Sequence, residues 1–130
     1  MAQPTAVLGT GQTRHRAKRT DVSMAGMIRE AVDAALLDAG TTMADIDAIV
    51  IGKAPDMFEG VMMPELFLAD ALGAVGKPLL RVHTAGSVGG STAAVAAALV
   101  KSGVHRRVDR KSGSAGMPRP RERSRMPSSA

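Results

Sequence analysis

Apolar and polar positions along this chain divide it into short apolar runs and longer amphipathic stretches. Three short, continuous runs predict buried strands, at 6–9, 46–52 and 79–83. Three longer stretches, each followed by glycine, predict helices, at 23–39, 64–72 and 89–102. The order βαβαβα predicts an α/β fold with a parallel sheet and right-handed crossovers.

The most informative stretch is a turn of small residues that joins the third predicted strand to the last predicted helix, from Val82 to Ala93. In parallel sheets the chemistry lies at the carboxyl ends of the strands, and the start of a helix offers free N–H groups. Ser87, at this turn, is interpreted either as a nucleophile or as a plain helix cap or turn residue. His83 is interpreted either as its general base or as a residue that makes a structural hydrogen bond.

Composition narrows the function classes. The 130 residues allow one domain, and the absence of cysteine excludes disulfides, zinc–thiolate sites and cysteine nucleophiles. No apolar run is long enough to span a bilayer, and the N-terminal residues lack the features of a secretion signal. We therefore expect a soluble, cytoplasmic protein.

The net charge of +5 comes entirely from the C-terminal end. Residues 1–103 hold nine Lys/Arg and ten Asp/Glu, whereas residues 104–130 hold eight Lys/Arg and two acids. The stretch at 108–130 has no apolar run to supply a fourth strand, so we predict a disordered Arg/Ser/Pro-rich tail there. Because the tail has no aromatic residue, no specific nucleic-acid binding is expected. One hypothesis is that this tail is a truncated or out-of-frame reading of a longer gene.

Four segments carry a resemblance to a known family: 7–13, 30–40, 45–52 and 82–103. With them the chain resembles the N-terminal half-domain of the thiolase superfamily, in its lipid-transfer-protein or sterol-carrier-type branch. The resemblance covers about residues 5–107, and a complete family member is several times longer, with two related halves. It implies a partial thiolase-like domain, an acyl-CoA or lipid thioester as substrate, no covalently bound cofactor, and a homo-oligomer or partner subunit.

The family's acyl-accepting cysteine begins the last helix of this half-domain, and here Ser87 occupies its place. A hydroxyl is far less acidic than a thiol and needs an adjacent base, and the second half that supplies the family's catalytic histidine is not in this chain. The resemblance therefore implies a thiolase-like acyltransferase fragment that is inactive as this chain. Two alternatives stay open: a portion of an aldolase-like carbon–carbon lyase without the cysteine, and a non-catalytic folding or dimerisation module.

Other residues permit two interpretations each. The methionines Met57, Met62 and Met63 suit either an acyl or sterol pocket or a plain core or subunit contact. The basic loop holds residues that suit either the phosphates of coenzyme A or solvent: Arg14, His15, Arg16, Lys18 and Arg19. The acids at 56 and 59 lack metal-ligand partners, so no metal site is predicted. Without a fourth strand, the sheet would leave an unpaired edge, and we expect the chain to aggregate or to need a chaperone.

Overall fold

The computed structural model describes residues 3–53 and 60–112. Its first element, α1, spans Met24–Ala39. The Ser23 hydroxyl accepts a hydrogen bond from the Gly26 N–H at 3.1 Å, and Gly40 ends the helix with a φ of +61°. Both end signals and the helix between them confirm the prediction from the sequence, because a hydroxyl cap and a left-handed glycine satisfy the free backbone groups of the two helix ends.

The sheet has three parallel strands in the order β2-β1-β3. The central strand, β1, spans Ala48–Gly52 and is completely buried, as its continuous apolar run predicts. The strand β2 spans Leu79–Val82 and β3 spans Val108–Ser112. Two further helices complete the described fold, α2 at Pro64–Leu68 and α3 at Val88–Lys101.

The two faces of β1 are covered by different helices. The main apolar cluster joins β1 to α1 and to the region of α2, and its members are Ile28, Val32, Ile46, Ile49, Ile51, Leu68, Leu72 and Ala74. On the other face Gly52 lies against Thr92 and Val88 of α3. The result is a sheet between two helical layers, with the start of α3 at the carboxyl end of β1 and β2. This is the α/β architecture with a parallel sheet that the sequence predicts.

The predicted first strand at 6–9 is wrong, because these residues form no strand. The backbone N–H of Thr10, just beyond them, donates to Asp38 of α1 at 2.8 Å, so the segment is fixed to the helix. Gly9 and Gly11 lie directly against the backbone of α1 at Ala31, Ala35 and Ala39, so this segment packs on the helix instead of pairing with the sheet.

The sequence also predicts no strand after residue 107, and this prediction is wrong for residues 108–112. Residues 108–112, which the sequence assigns to the tail, form β3 beside β1. Asp47 fixes the entry to this strand, because its carboxylate accepts hydrogen bonds from the N–H groups of Arg106 at 2.8 Å and Arg107 at 3.0 Å. The remainder of the predicted tail, 113–130, lies outside the described residues.

The charged residues of β3 alternate between the two faces of the sheet. Asp109 and Lys111 pair in register with Ile49 and Ile51, so they share the face that α1 covers. They form an ion pair at 3.0 Å, in which both side chains are nearly buried. The Asp109 Oδ2 atom is buried without a hydrogen-bond partner. Burial of two charges costs free energy that only their pairing offsets. A strand with two charged side chains on the covered face of a sheet, as in β3, is therefore unusual.

Candidate functional site

Ser87 lies where the sequence places it, between β2 and α3. Residues Ala85–Ser87 form one 3₁₀ turn, and Ser87 is the N-cap residue of α3. Its hydroxyl donates to the Thr84 carbonyl oxygen at 2.9 Å and makes no capping bond to the helix. Ser87 is therefore a turn residue in this geometry, and its side chain does not cap α3. The residue is exposed, beside helix N–H groups that no side chain caps.

The backbone before Ser87 is strained. Ala85 has a φ of +47°, and it is the one non-glycine residue with positive φ in the described part of the chain. For a residue with a Cβ this conformation costs about 1–2 kcal/mol. Such strain persists only where surrounding contacts enforce it, and it is concentrated at functional turns. Ala85 makes the sharp reversal that brings Ser87 to the start of α3.

Contacts on two sides hold this turn. The Thr84 hydroxyl donates to the Ser91 hydroxyl oxygen at 2.7 Å, which links the segment before the turn to the first turn of α3. Thr92, completely buried, donates to the Val88 carbonyl oxygen at 2.6 Å and lies against Gly52 of β1. The position of Ser87 is thus fixed through the packing of α3 on the central strand.

A guanidinium group also reaches the first turn of α3. Arg110 of β3 donates to the carbonyl oxygen of Gly89, two residues after Ser87. The positive end of the helix dipole favours an anion, or the ionised form of a nucleophile, at the start of α3. The sequence pattern does not indicate Arg110, because residues after 107 are assigned to a tail. The connection rule for parallel sheets could have indicated it, because a strand that follows α3 by a right-handed crossover returns beside the sheet.

His83 is not hydrogen-bonded to Ser87 in this geometry. The residue is exposed, and among the described residues it makes no hydrogen bond or ion pair with Ser87. The Ser87 proton is directed at a carbonyl oxygen, which cannot accept it as a base. The described contacts therefore contain no nucleophile–base pair formed by Ser87 and His83.

The basic loop lines a separate cavity of about 400 Å³. Its lining residues are Gln12, Thr13, Arg14, Arg16, Arg19, Asp21 and Glu30. Arg19 is bound at 2.9 Å by both Asp21 and Glu30, and these hydrogen bonds raise its pKa, whereas the bonds from Arg19 lower the pKa of Asp21. Because this cation is already paired and two carboxylates share the cavity, the cavity is a weaker anion site than the count of basic residues indicates.

The other predicted residues are divided by the structure. Met62 and Met63 lie on the surface, and Met57, Asp56 and Glu59 lie outside the described residues. Within residues 3–53 and 60–112, no group of His, Cys, Asp or Glu is arranged to hold a metal ion. No helix in the described part of the chain is both long and apolar enough to cross a bilayer.

Comparison with solved structures identifies the fold. A priming beta-ketosynthase from a polyketide biosynthetic pathway aligns with a TM-score of 0.61 at 21% identity, over 76% of this chain. The 3-oxoacyl-[acyl-carrier-protein] synthase III of Aquifex aeolicus VF5 aligns with a TM-score of 0.54 at 21% identity, over 75%. The Ltp2-ChsH2(DUF35) aldolase aligns with a TM-score of 0.59 at 29% identity, over 76%. This chain has a thiolase-like fold.

The thiolase-like chain is shorter than these neighbours. It spans 38%, 31% and 24% of the lengths of the three aligned chains, respectively. No protein-family model and no curated protein matches it. The likeness therefore establishes the fold, and the activity of a whole neighbour is not carried over with it.

Proposed function

We propose that this chain is the nucleophile-bearing portion of a thiolase-like enzyme that acts on acyl-CoA or lipid thioesters, in the lipid-transfer or sterol-carrier branch. The observation that carries the proposal is the placement of Ser87 at the start of α3, directly after a strained turn. Two solved neighbours are by name a beta-ketosynthase and a 3-oxoacyl-[acyl-carrier-protein] synthase, which supports an acyl thioester as the substrate class.

The chain itself is proposed to be inactive. A serine hydroxyl attacks a thioester only when a base removes its proton, and the Ser87 hydroxyl donates to the Thr84 carbonyl oxygen. The helix N-terminus would stabilise a thiolate, whose parent thiol has a pKa of about 8.5, but it cannot ionise an alcohol near neutral pH. The site therefore has the electrostatics for a cysteine without the cysteine.

A second candidate is a portion of a carbon–carbon lyase, since one neighbour is by name an aldolase with a DUF35 component. That neighbour also supports a partner subunit as an alternative to a homo-oligomer. A third candidate, a non-catalytic folding or dimerisation module, is supported by apolar side chains that remain exposed near α2. The cytoplasmic location expected from the sequence stays a prediction.

The decisive experiment restores the thiol. Because the chain has no cysteine, Ser87→Cys introduces a single thiol, and mass spectrometry can follow acyl transfer to it from acetoacetyl-CoA and a longer acyl-CoA. Leu37→Cys, at an exposed position on α1, is the matched control. We expect the wild type to form no adduct and Ser87→Cys to acylate at least about tenfold faster than the control, because its thiol pKa is lowered at the helix N-terminus.

Two results would overturn the proposal. Equal acylation rates for the two cysteine variants would show that the turn does not activate a nucleophile. Turnover by the wild type that Ser87→Ala abolishes would show that the serine is itself a working nucleophile, contrary to the proposed inactivity.

A further inference from the structure

Thr84 is the residue on which the hydrogen bonds of the turn converge. Its carbonyl oxygen accepts from the Ser87 hydroxyl at 2.9 Å and from the Ser87 N–H at 3.1 Å. Its own hydroxyl donates to the Ser91 hydroxyl oxygen at 2.7 Å. Because both serine hydroxyls contact Thr84, they lie on the same side of the turn, and Thr84 holds each of them in place.

Ser91 keeps a proton that the described contacts do not use. A serine hydroxyl has one O–H donor and two acceptor lone pairs, and one lone pair of Ser91 takes the hydrogen of Thr84. A serine or threonine inside a helix commonly donates to the carbonyl one turn back, as the next residue, Thr92, does to Val88 at 2.6 Å. Among residues 3–53 and 60–112, Ser91 makes no bond of that kind.

The hydroxyl of Ser91 is also placed toward the start of α3. Ser91 follows Ser87 by one helical turn, and the side chains of a helix lean toward its N-terminus. The space beside the turn is open, because beyond the adjoining backbone no heavy atom of the described residues lies within 4 Å of a Cβ added to Gly86 or Gly90. A side chain other than serine at position 87 therefore has room to leave the Thr84 carbonyl.

An ionised side chain at position 87 needs a partner different from that of the serine. The Thr84 carbonyl oxygen accepts from a hydroxyl, but it has no proton to give and repels a thiolate. The groups that can donate are the free N–H groups at the start of α3 and the Ser91 hydroxyl. A hydrogen bond to an ionised group is roughly twice as strong as one between neutral groups, so the Ser91 proton contributes most when residue 87 is charged.

We infer that Ser91 is the hydrogen-bond donor for an ionised nucleophile at position 87, and that Thr84 is the positioning residue that holds Ser91 for this role. The inference rests on the proposed function, because it assigns a task within the same nucleophile site. By donating to Ser91, Thr84 fixes the hydroxyl oxygen and leaves its proton available for residue 87.

The test measures the thiol pKa of Ser87→Cys from the pH dependence of its alkylation by iodoacetamide, followed by mass spectrometry. The chain has no other cysteine. Adding Ser91→Ala should raise this pKa by about one unit, which is the effect of losing one exposed hydrogen bond to an anion. Adding Ser91→Thr, which keeps the hydroxyl, should leave the pKa close to that of Ser87→Cys.

Thr84 is tested in the same background. Thr84→Val keeps the shape of the side chain without its hydroxyl and should raise the thiol pKa by a smaller amount than Ser91→Ala, whereas Thr84→Ser should not raise it. Ser102→Ala is the matched control, since the Ser102 hydroxyl bonds to the Leu99 carbonyl oxygen at the far end of α3 and should not affect the thiol. Circular dichroism establishes that each variant is folded, and Thr84→Val decides the question where Ser91→Ala does not fold.

An unchanged thiol pKa in Ser91→Ala and Thr84→Val would overturn the inference. An equal rise in Ser102→Ala, or a rise that the two hydroxyl-keeping variants share, would overturn it as well, because either result indicates a general loosening of α3. A thiol pKa in Ser87→Cys equal to that in Leu37→Cys would instead count against the proposed function. The two failures are distinguishable, because the first compares variants that share Ser87→Cys and the second compares positions 87 and 37.

Discussion

The contact between Gly52 and Thr92 gives the sharpest test of how the sheet positions Ser87. A Cβ added to Gly52 would overlap the Thr92 hydroxyl and would lie 3.1 Å from Thr92 Cβ and 3.2 Å from Val88 Cγ2. The hydroxyl cannot turn away freely, because Thr92 is completely buried and donates to the Val88 carbonyl oxygen at 2.6 Å. Gly52→Ala must therefore push α3 away from β1.

The expected cost follows from that displacement. Overpacking of a well-packed core costs about 1–3 kcal/mol. Replacement of glycine by alanine returns about 0.4–1 kcal/mol by restricting the unfolded chain. Because the added Cβ would overlap the Thr92 hydroxyl, the overpacking cost falls in the upper part of its range, about 2–3 kcal/mol, and we expect Gly52→Ala to lower the free energy of unfolding by about 1–2.5 kcal/mol. Removing the hydroxyl with Thr92→Ala should recover on the order of 1 kcal/mol of this loss, because the two positions are in direct contact.

Gly90→Ala is the matched control. It lies in α3 as well, but nothing lies within 4 Å of the Cβ that it would gain, so it should stabilise the helix by about 0.5–1 kcal/mol. The assay is urea unfolding followed by circular dichroism at one protein concentration, since association changes apparent stability. A loss below about 0.5 kcal/mol for Gly52→Ala, or equal losses with and without Thr92, would refute the packing argument.

Three further changes test the core, the entry to β3 and its buried ion pair. Ile51→Ala, in the centre of the apolar cluster, should cost about 2–5 kcal/mol in urea unfolding, whereas Leu37→Ala on the surface should change stability by less than about 0.5 kcal/mol. Hydrogen bonds from the Arg107 and Arg106 N–H groups lower the pKa of Asp47 below its usual value of about 3.9, so its contribution to stability is present above that pH and is lost as pH falls through the lower folded value. Asp47→Asn should therefore flatten the loss of stability below about pH 4, and an unchanged acid slope would contradict this account. Asp109→Asn leaves Lys111 without its buried partner and should cost about 3–5 kcal/mol in urea unfolding, while the double variant that combines Asp109→Asn with Lys111→Met should cost less.

The elements that could be predicted from sequence are those whose local signals agree with their burial. The helix α1 has a hydroxyl cap at Ser23, apolar spacing and a left-handed glycine at Gly40, so its limits follow from local chemistry. The central strand β1 is a continuous apolar run that only a position between two helical layers satisfies. Neither element depends on which other segment becomes its neighbour.

The two wrong strand predictions show what local signals lack. The run at 6–9 is more apolar than 108–112, yet the second segment takes the place beside β1. Two contacts outside the local pattern stabilise this choice. The N–H groups of Arg106 and Arg107 donate to Asp47, and Asp109 and Lys111 form an ion pair. A pattern of hydrophobicity indicates that a segment can be buried, but it does not indicate which of two segments occupies one edge.

The candidate site likewise combines a feature that the sequence predicts with features that only the folded chain supplies. This combination is why we expect the Ser87→Cys variant to be reactive and the wild type to be inert. The sequence located Ser87, whereas the hydrogen bond to the Thr84 carbonyl, the strained Ala85 and the approach of Arg110 depend on the folded turn. These features place a side chain at a helix N-terminus, and they supply no base. A thiol needs only such electrostatics to become a thiolate, but a hydroxyl needs a proton acceptor as well. The geometry of the turn therefore favours the chemistry of a residue that this chain does not have.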